Sequence, residues 1–195
     1  MAVCDVTSDP VLHPALSERF SPVGFRPDVV MTHEHVDVLL EAARLAPSAG
    51  NSQPWGFVVG RRGDAVHERL VRHLARSSSA WAPPASTLVA NLTQVGVEDA
   101  PDWEYSEFSR YDLGQAVAHM CVQALALGFD SHQFRAFDRE GVSAEFGVPA
   151  HIEVVSMTAF GVADHGPGEV SSPGTSRERR SRGAITWARE VGERS

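Results

Sequence analysis

A dense group of hydrogen-bonding side chains lies in residues 47–59, which read PSAGNSQPWGFVV. Ser48, Asn51 and Gln53 bring hydroxyl and amide groups within six positions, and Gly50 gives the backbone between them conformational freedom. A loop of this composition can present donors and acceptors to a flat polar ligand. An ordinary turn is the alternative interpretation, because Asn, Ser, Gly and Pro are common turn residues.

The segments on either side predict a junction between a helix and a strand. Apolar residues recur at helical spacing over residues 36–43, after Thr32, which is a favourable N-cap. The apolar run at residues 55–59 is typical of a strand. The polar loop is therefore expected between two packed elements, with Pro47 and Pro54 stiffening its ends.

The stretch PSAGNSQPW, followed by an aromatic residue and two valines, resembles the signature of the flavin-dependent nitroreductase family. A weaker resemblance extends over residues 16–187. It implies an α+β fold in which helices flank a central, mostly antiparallel sheet, and a dimeric protein. By the same resemblance, these loop residues contact FMN, often across the dimer interface: Pro47, Ser48, Asn51 and Gln53.

Residues 19–25 resemble the family pattern R-x-S-x-R-x-F, whose basic and hydroxyl side chains hold the FMN phosphate. Arg19, Ser21 and Phe25 match the pattern, whereas Val23 stands where the second basic residue is expected. A charge-assisted contact contributes about 1.5–3 kcal/mol, so its loss predicts weaker FMN binding unless another Arg substitutes. A solvated surface charge is the alternative for Arg19.

A basic cluster near the end of the chain resembles the second phosphate clamp of the family. Arg180 and Arg182, separated by one residue, would fill this clamp. A solvated basic tail that aids solubility is the alternative. Trp187 is expected to hold this terminal segment against the body of the protein or against a partner subunit.

Residues 128–138 follow the longest predicted helix, at residues 111–127, whose YDLG start resembles the central dimer-interface helix of the family. In the family the following segment is glycine-rich, and its backbone N–H groups lie against flavin N5 and O4. Arg135 and Ala136 are expected in that position here. Arg135 departs from the pattern, and a cation there could stabilise the anionic reduced ring or occupy the substrate space.

Composition excludes several classes of protein. The formal net charge of −8 argues against a general nucleic-acid surface, and every basic side chain apart from the histidines is Arg. Two cysteines in unlike settings predict neither a disulfide framework nor a metal site. No secretory signal or long apolar run is visible, so we expect a cytoplasmic protein with no membrane partner.

The chain is expected to form one domain over residues 1–195. Residues 1–14 are expected to be loose, and residues 164–176 to be a flexible connection to a C-terminal arm. Further strands are expected at residues 87–92 and 152–161. An acidic, aromatic connection at residues 96–110 predicts either a loop over the active site or surface aromatics.

By resemblance, the leading hypothesis is an FMN-dependent homodimer that uses NADH or NADPH to reduce nitroaromatic, quinone or similar acceptors. The absence of a conventional catalytic constellation agrees with this, because a flavin carries the redox chemistry itself. One alternative is a flavin-dependent dehydrogenase or oxidase that tailors a small molecule. Another is a binding protein on the same scaffold with a degenerate flavin site.

Overall fold

A four-stranded antiparallel sheet lies at the centre of the computed structural model, which describes residues 11–170 and 176–189. The strands of the described residues are β1 (Trp55–Arg61), β2 (Thr87–Gln94), β3 (Gly96–Val97), β4 (Ala100–Glu104), β5 (Asp130–Phe134) and β6 (Ile152–Gly161). The central sheet has the order β1–β2–β6–β5, and β3 pairs with β4 in a separate hairpin. The expected antiparallel sheet is confirmed.

Polar N-caps set the start of the main helices. Thr32, Asp64 and Asp138 each accept a backbone N–H three residues ahead with a side-chain oxygen, at 3.3, 2.7 and 3.0 Å. Gly147 ends one helix in the left-handed conformation, with φ 62°. The helices are α1 (Pro14–Ser17), α2 (His33–Arg44), α3 (Ala65–Arg72), α4 (Arg76–Ser79), α5 (Ser109–Ala126), α6 (Arg139–Phe146) and α7 (Arg182–Ile185).

Alternating side chains of β2 divide the core into two layers. Val89 packs in a cluster with residues of α2 and α5, including Leu39. Leu88, its neighbour on the strand, packs in the other cluster with Leu70 of α3 and Val142 of α6. The sheet is thus covered by helices on both faces, as expected for the α+β fold. Among the described helices, none combines the length and apolar content that a bilayer span requires.

Two segments differ from the simplest sequence expectation. Residues 130–134 form the edge strand β5, which pairs with β6 although Ser131 and Gln133 give the segment little strand character. The connection at residues 96–110 contains the β3–β4 hairpin and the start of α5. Trp103 is 74% exposed on this hairpin, so it is a surface aromatic.

The predicted loose terminus and connection are only partly visible. Residues 1–10 and 171–175 lie outside the described residues. Pro14 already belongs to α1. His165, in the predicted connection, accepts the Val23 N–H on its Nε2 atom at 3.0 Å, so this part of the connection is bound to the N-terminal segment.

Gly60 marks the closest approach of β1 to α3. A Cβ atom at Gly60 would lie 2.4 Å from the backbone nitrogen of His67, which cannot move without shifting the helix. Gly60→Ala is therefore expected to lower the free energy of unfolding by about 1–3 kcal/mol through overpacking. Chemical denaturation measures this change.

Gly56→Ala on the same strand is the matched control for this prediction. The nearest neighbour of a Cβ there is Leu92 Cβ at 3.9 Å, an ordinary van der Waals distance. We expect a change within about 0.5 kcal/mol. Equal destabilisation by the two substitutions would contradict the packing argument.

Candidate functional site

Arg19 and Ser21, two of the predicted phosphate contacts, lie together beside a cavity of about 290 Å³. The Arg19 guanidinium donates a hydrogen bond to the Ser21 hydroxyl oxygen at 3.2 Å. Among the described residues, no acidic side chain lines this cavity, so its electrostatics favour an anion. The lining residues come from the N-terminal segment, α5 and β5: Leu16, Arg19, Ser21, Ala118, Cys121, Val122, Ser131 and Gln133.

Another arginine reaches the same N-terminal segment. The Arg177 guanidinium donates hydrogen bonds to the carbonyl oxygens of Ser17 at 3.1 Å and Arg19 at 3.2 Å. Val23, which stands in place of the second basic residue of the pattern, contributes no charge here. Arg177 therefore brings a positive charge close to the N-terminal segment. This segment lacks one of the two basic residues of the family pattern, because Val23 occupies that position.

Arg180 and Arg182 lie elsewhere, exposed on the C-terminal arm. The Arg180 guanidinium donates to the Ala184 carbonyl, and Arg182 begins α7. Within one protomer, no hydrogen bond among the described residues joins either of them to Arg19 or Ser21. Their role as a second phosphate clamp stays a prediction.

The β5 wall of the cavity is polar. Ser131 and Gln133 alternate along the strand and point to the cavity side, and the Gln133 amide donates to the Cys121 sulfur at 3.4 Å. Burial raises the pKa of the Cys121 thiol, while hydrogen bonds from Ser131 and Gln133 act in the opposite direction. The thiol is accordingly neutral at physiological pH and serves as a small wall residue.

Arg135 and Ala136 follow directly at the end of β5. The Ala136 carbonyl accepts hydrogen bonds from the Ala75 N–H at 3.0 Å and from the Ser78 hydroxyl, which fixes the backbone here. The N–H groups of Arg135 and Ala136 donate to no other described part of the chain. They are therefore available to an acceptor on a ligand.

The polar loop has a strained backbone. Gly50, Asn51 and Gln53 have φ values of 59°, 56° and 49°, all in the left-handed region that Gln rarely occupies. The Ser48 hydroxyl oxygen accepts the Gln53 N–H at 3.0 Å, and the Gln53 side chain donates to the Asn51 carbonyl at 3.2 Å. The Asn51 side-chain amide has no hydrogen-bond partner among the described residues and is exposed. This combination is typical of a loop preorganised for a ligand.

Asp112 of α5 anchors this loop through a hydrogen bond to its backbone. Its carboxylate is 2% exposed and accepts the Ala49 N–H at 3.0 Å. Gln115, one turn further along, donates to Asp112 at 3.3 Å and to the Pro47 carbonyl at 3.4 Å. The start of α5 thus holds the loop backbone at Ala49 through Asp112 and at Pro47 through Gln115.

The loop and the cavity lie at different positions along α5. Asp112 contacts the loop and Cys121 lines the cavity, and the nine residues between them correspond to about two and a half helical turns and ~13 Å along the axis. Within one protomer, the loop and the cavity are therefore two separate groups of candidate site residues, which we call half-sites. The sequence alone does not show this separation.

Sequence reasoning missed Asp112, Ser131 and Gln133 as site residues. Asp112 is the single carboxylate within α5, and a buried acid on an otherwise apolar helix is a detectable signal. Ser131 and Gln133 line the cavity because alternate side chains of a strand share one face. This alternation could not be used from the sequence, because β5 was not predicted as a strand.

His132 occupies the other face of β5. Its ring stacks on Trp81 with centroids 4.3 Å apart and planes at 16°, and Nδ1 donates to the Pro22 carbonyl at 2.7 Å. Burial lowers the pKa of His132, the Pro22 contact opposes that shift, and Arg19 adds to it. The imidazole is thus held neutral beneath the cavity wall.

Asp112→Ala is expected to release the loop, because the Ala49 N–H loses a charge-assisted acceptor. The expected cost is about 1–3 kcal/mol of folding free energy, with faster hydrogen exchange at Ala49. Asp112→Asn retains an acceptor oxygen and should lose less. Asp102→Ala, on the exposed hairpin, is the control, and exchange at Ala49 that is unchanged in Asp112→Ala would refute the anchor.

Stability should fall in acid partly through His132. Because its folded-state pKa is lowered, its contribution is fully present above the unfolded-state pKa of about 6.5 and is lost as the pH falls below that value. His132→Phe keeps the stack on Trp81 and removes the proton, so unfolding free energies measured between about pH 7 and pH 5 should vary less with pH. His119→Gln is the control, and an identical pH slope in wild type and His132→Phe would contradict the assignment.

A model of the nitroreductase family matches residues 16–162. The 5,6-dimethylbenzimidazole synthase of Rhodospirillum rubrum is 28% identical over 158 residues, covering 70% of this chain and 74% of the relative. The major NAD(P)H-flavin oxidoreductase of Aliivibrio fischeri is 39% identical over 61 residues, covering 31% of this chain and 27% of the relative.

Solved structures extend the likeness to the fold. An oxidoreductase containing FMN superimposes with a TM-score of 0.81 at 23% identity, over 95% of this chain and 96% of that chain. At this identity the superposition shows a shared fold. Because the family match spans well over half of the sequence, the chain belongs to the nitroreductase family.

Proposed function

We propose that the protein is an FMN-dependent oxidoreductase that uses NADH or NADPH to reduce nitroaromatic, quinone or similar small acceptors in the cytoplasm. The observation that carries the proposal is the cavity that Arg19 and Ser21 line together with β5, which has no acid among its described lining residues. Strand β5 continues from this cavity into Arg135 and Ala136. The relatives support it, since one is named for an NAD(P)H-flavin reaction and a neighbouring structure contains FMN.

The residues present fit the chemistry of FMN. Arg19 and Ser21 offer the guanidinium and hydroxyl donors that a phosphate needs, with Arg177 close by. The free N–H groups of Arg135 and Ala136 are suited to the oxygen and nitrogen atoms at the edge of a flavin ring. When bound, the flavin would accept a hydride from the nicotinamide and pass two electrons to the acceptor in a ping-pong cycle.

A homodimer is part of the proposal, because each protomer holds two half-sites at different positions along α5. The loop with Ser48, Asn51 and Gln53 would complete the cavity of a second copy. A suitable apolar surface lies between α2 and α5, where Leu45 is 64% exposed beside a groove of about 490 Å³. The second phosphate clamp at Arg180 and Arg182 would also be supplied through this assembly.

A second candidate is a flavin-dependent tailoring enzyme that passes electrons to oxygen. Two observations favour it: Val23 removes a phosphate contact and Arg135 replaces a small residue of the family pattern. One relative is named 5,6-dimethylbenzimidazole synthase, a name that denotes the synthesis of a small molecule. Oxygen consumption without any quinone or nitroaromatic reduction would favour this candidate over the first.

FMN titration tests the cofactor assignment. Arg19→Ala should weaken FMN binding by about 10- to 150-fold, because it removes a charge-assisted contact worth about 1.5–3 kcal/mol. Arg26→Ala is the matched control, since Arg26 is exposed and paired with Asp28 at 2.6 Å outside the cavity. Wild-type protein that neither carries nor takes up flavin would overturn the proposal and favour a binding protein with a degenerate site.

Subunit complementation tests the shared site. Arg19→Ala damages the cavity and Asn51→Gly damages the loop while tolerating its positive φ, so each variant alone should be weakly active. A mixed dimer regains one intact site, and random mixing should restore about a quarter of wild-type activity. No recovery after verified subunit exchange would show that the site forms within one protomer.

A further inference from the structure

Arg135 continues the cavity-facing side of β5. Ser131 and Gln133 line the cavity from that strand, and residues two apart on an extended chain share a face. Arg135 is the next residue in this alternation, directly after the last residue of the strand. The alternation therefore places its Cβ on the same side as Gln133, just beyond the end of the strand.

The charge of Arg135 is not neutralised by an acid among the described residues. Its side chain is exposed, and its guanidinium carbon lies 5.8 Å from the centroid of the Phe137 ring, a loose contact that leaves the fork of donors free. Other arginines of the described chain are held in ion pairs at 2.5–3.0 Å: Arg26, Arg44, Arg69, Arg72, Arg110 and Arg139.

The cavity surroundings add to this positive character. No acid lines the cavity in the described chain, although the protein as a whole carries a net charge of −8. Ser131 and Arg135 are four residues apart, about 13 Å along an extended strand. Arg19 and Arg135 thus offer two separate anion positions, one at the cavity and one beyond Gln133.

We propose that Arg135 binds the anionic group of the electron acceptor, so that the preferred acceptors are small aromatic carboxylates or similar monoanions. This inference rests on the proposed function, which assigns the other anion position at Arg19 to the cofactor phosphate. A guanidinium fork matches a carboxylate through two parallel hydrogen bonds. Such a contact would hold the anionic end of the acceptor, while the reducible group at its other end would face the flavin ring.

The reaction used as a probe is balanced with the named reductant. One NADPH and one proton convert a nitroarene to a nitrosoarene, with release of one water and NADP⁺. The nicotinamide loses a hydride, and the nitro group gains two electrons and two protons as one N–O bond breaks. The carboxylate that Arg135 would bind takes no part in this bond change.

The test compares para-nitrobenzoate with para-nitrobenzamide, which differ in charge at the far end of the ring. In a ping-pong reaction, kcat/KM for the acceptor reports only the second half-reaction, so effects on NADPH binding drop out. For the FMN-loaded wild type we expect kcat/KM to favour the carboxylate. In Arg135→Gln the carboxylate-to-amide ratio should fall about tenfold, and Arg135→Lys should recover part of it.

Arg26→Gln removes the same charge from a surface outside the cavity and should leave the ratio unchanged. The wild-type preference should also shrink between ~0.01 M and ~1 M salt, as the Debye length falls from ~30 Å to ~3 Å. A ratio unaffected by Arg135→Gln, or lowered equally by Arg26→Gln, would overturn this inference alone. Failure of the flavin-loaded wild type to reduce either compound would overturn the proposed function as well.

Discussion

A single buried carboxylate determines the shape of the polar loop. Three residues of the loop lie in the left-handed region, a conformation that costs about 1–3 kcal/mol for each residue other than Gly. The bond from the Ala49 N–H to Asp112, together with the Gln115 contact to Pro47, holds that conformation against the start of α5. The loop is therefore shaped before any ligand arrives, and α5 links its geometry to the core.

The same helix lines the cavity further along its length, through Ala118, Cys121 and Val122. α5 packs against α2 and the sheet through a continuous apolar cluster, so the loop and the cavity are fixed relative to one another. Under the proposed homodimer, the loop of one copy would meet the cavity of the other across a two-fold axis.

Arginine performs two distinct tasks in this acidic chain. Arg62 donates to the carbonyl oxygens of Pro27, Val29 and Pro84, and so joins the N-terminal segment to the sheet. Arg19 instead lines a cavity that has no acid among its described lining residues, and Arg135 has no acidic partner in the described chain. The context of each guanidinium, and not its residue type, separates the structural role of Arg62 from the ligand-binding roles proposed for Arg19 and Arg135.

Local signals were sufficient for much of the architecture. Thr32 predicts a helix start because N-capping is a short-range interaction, and the apolar runs of β1, β2 and β6 predict buried strands. The motif around Asn51 predicts a polar loop between α2 and β1. Residue type and spacing carry this information without reference to the rest of the chain.

Only the tertiary structure decided how these parts form a site. The strand β5 exists because β6 supplies its hydrogen-bond partners, and that long-range pairing turns Ser131 and Gln133 toward the cavity and leads on to Arg135. Asp112 lies 63 residues after Ala49 in the sequence. It reaches the loop only because α5 packs against α2. Local sequence determined which groups are available, while contacts between distant segments determined which of them meet, because burial and strand pairing are properties of the whole fold.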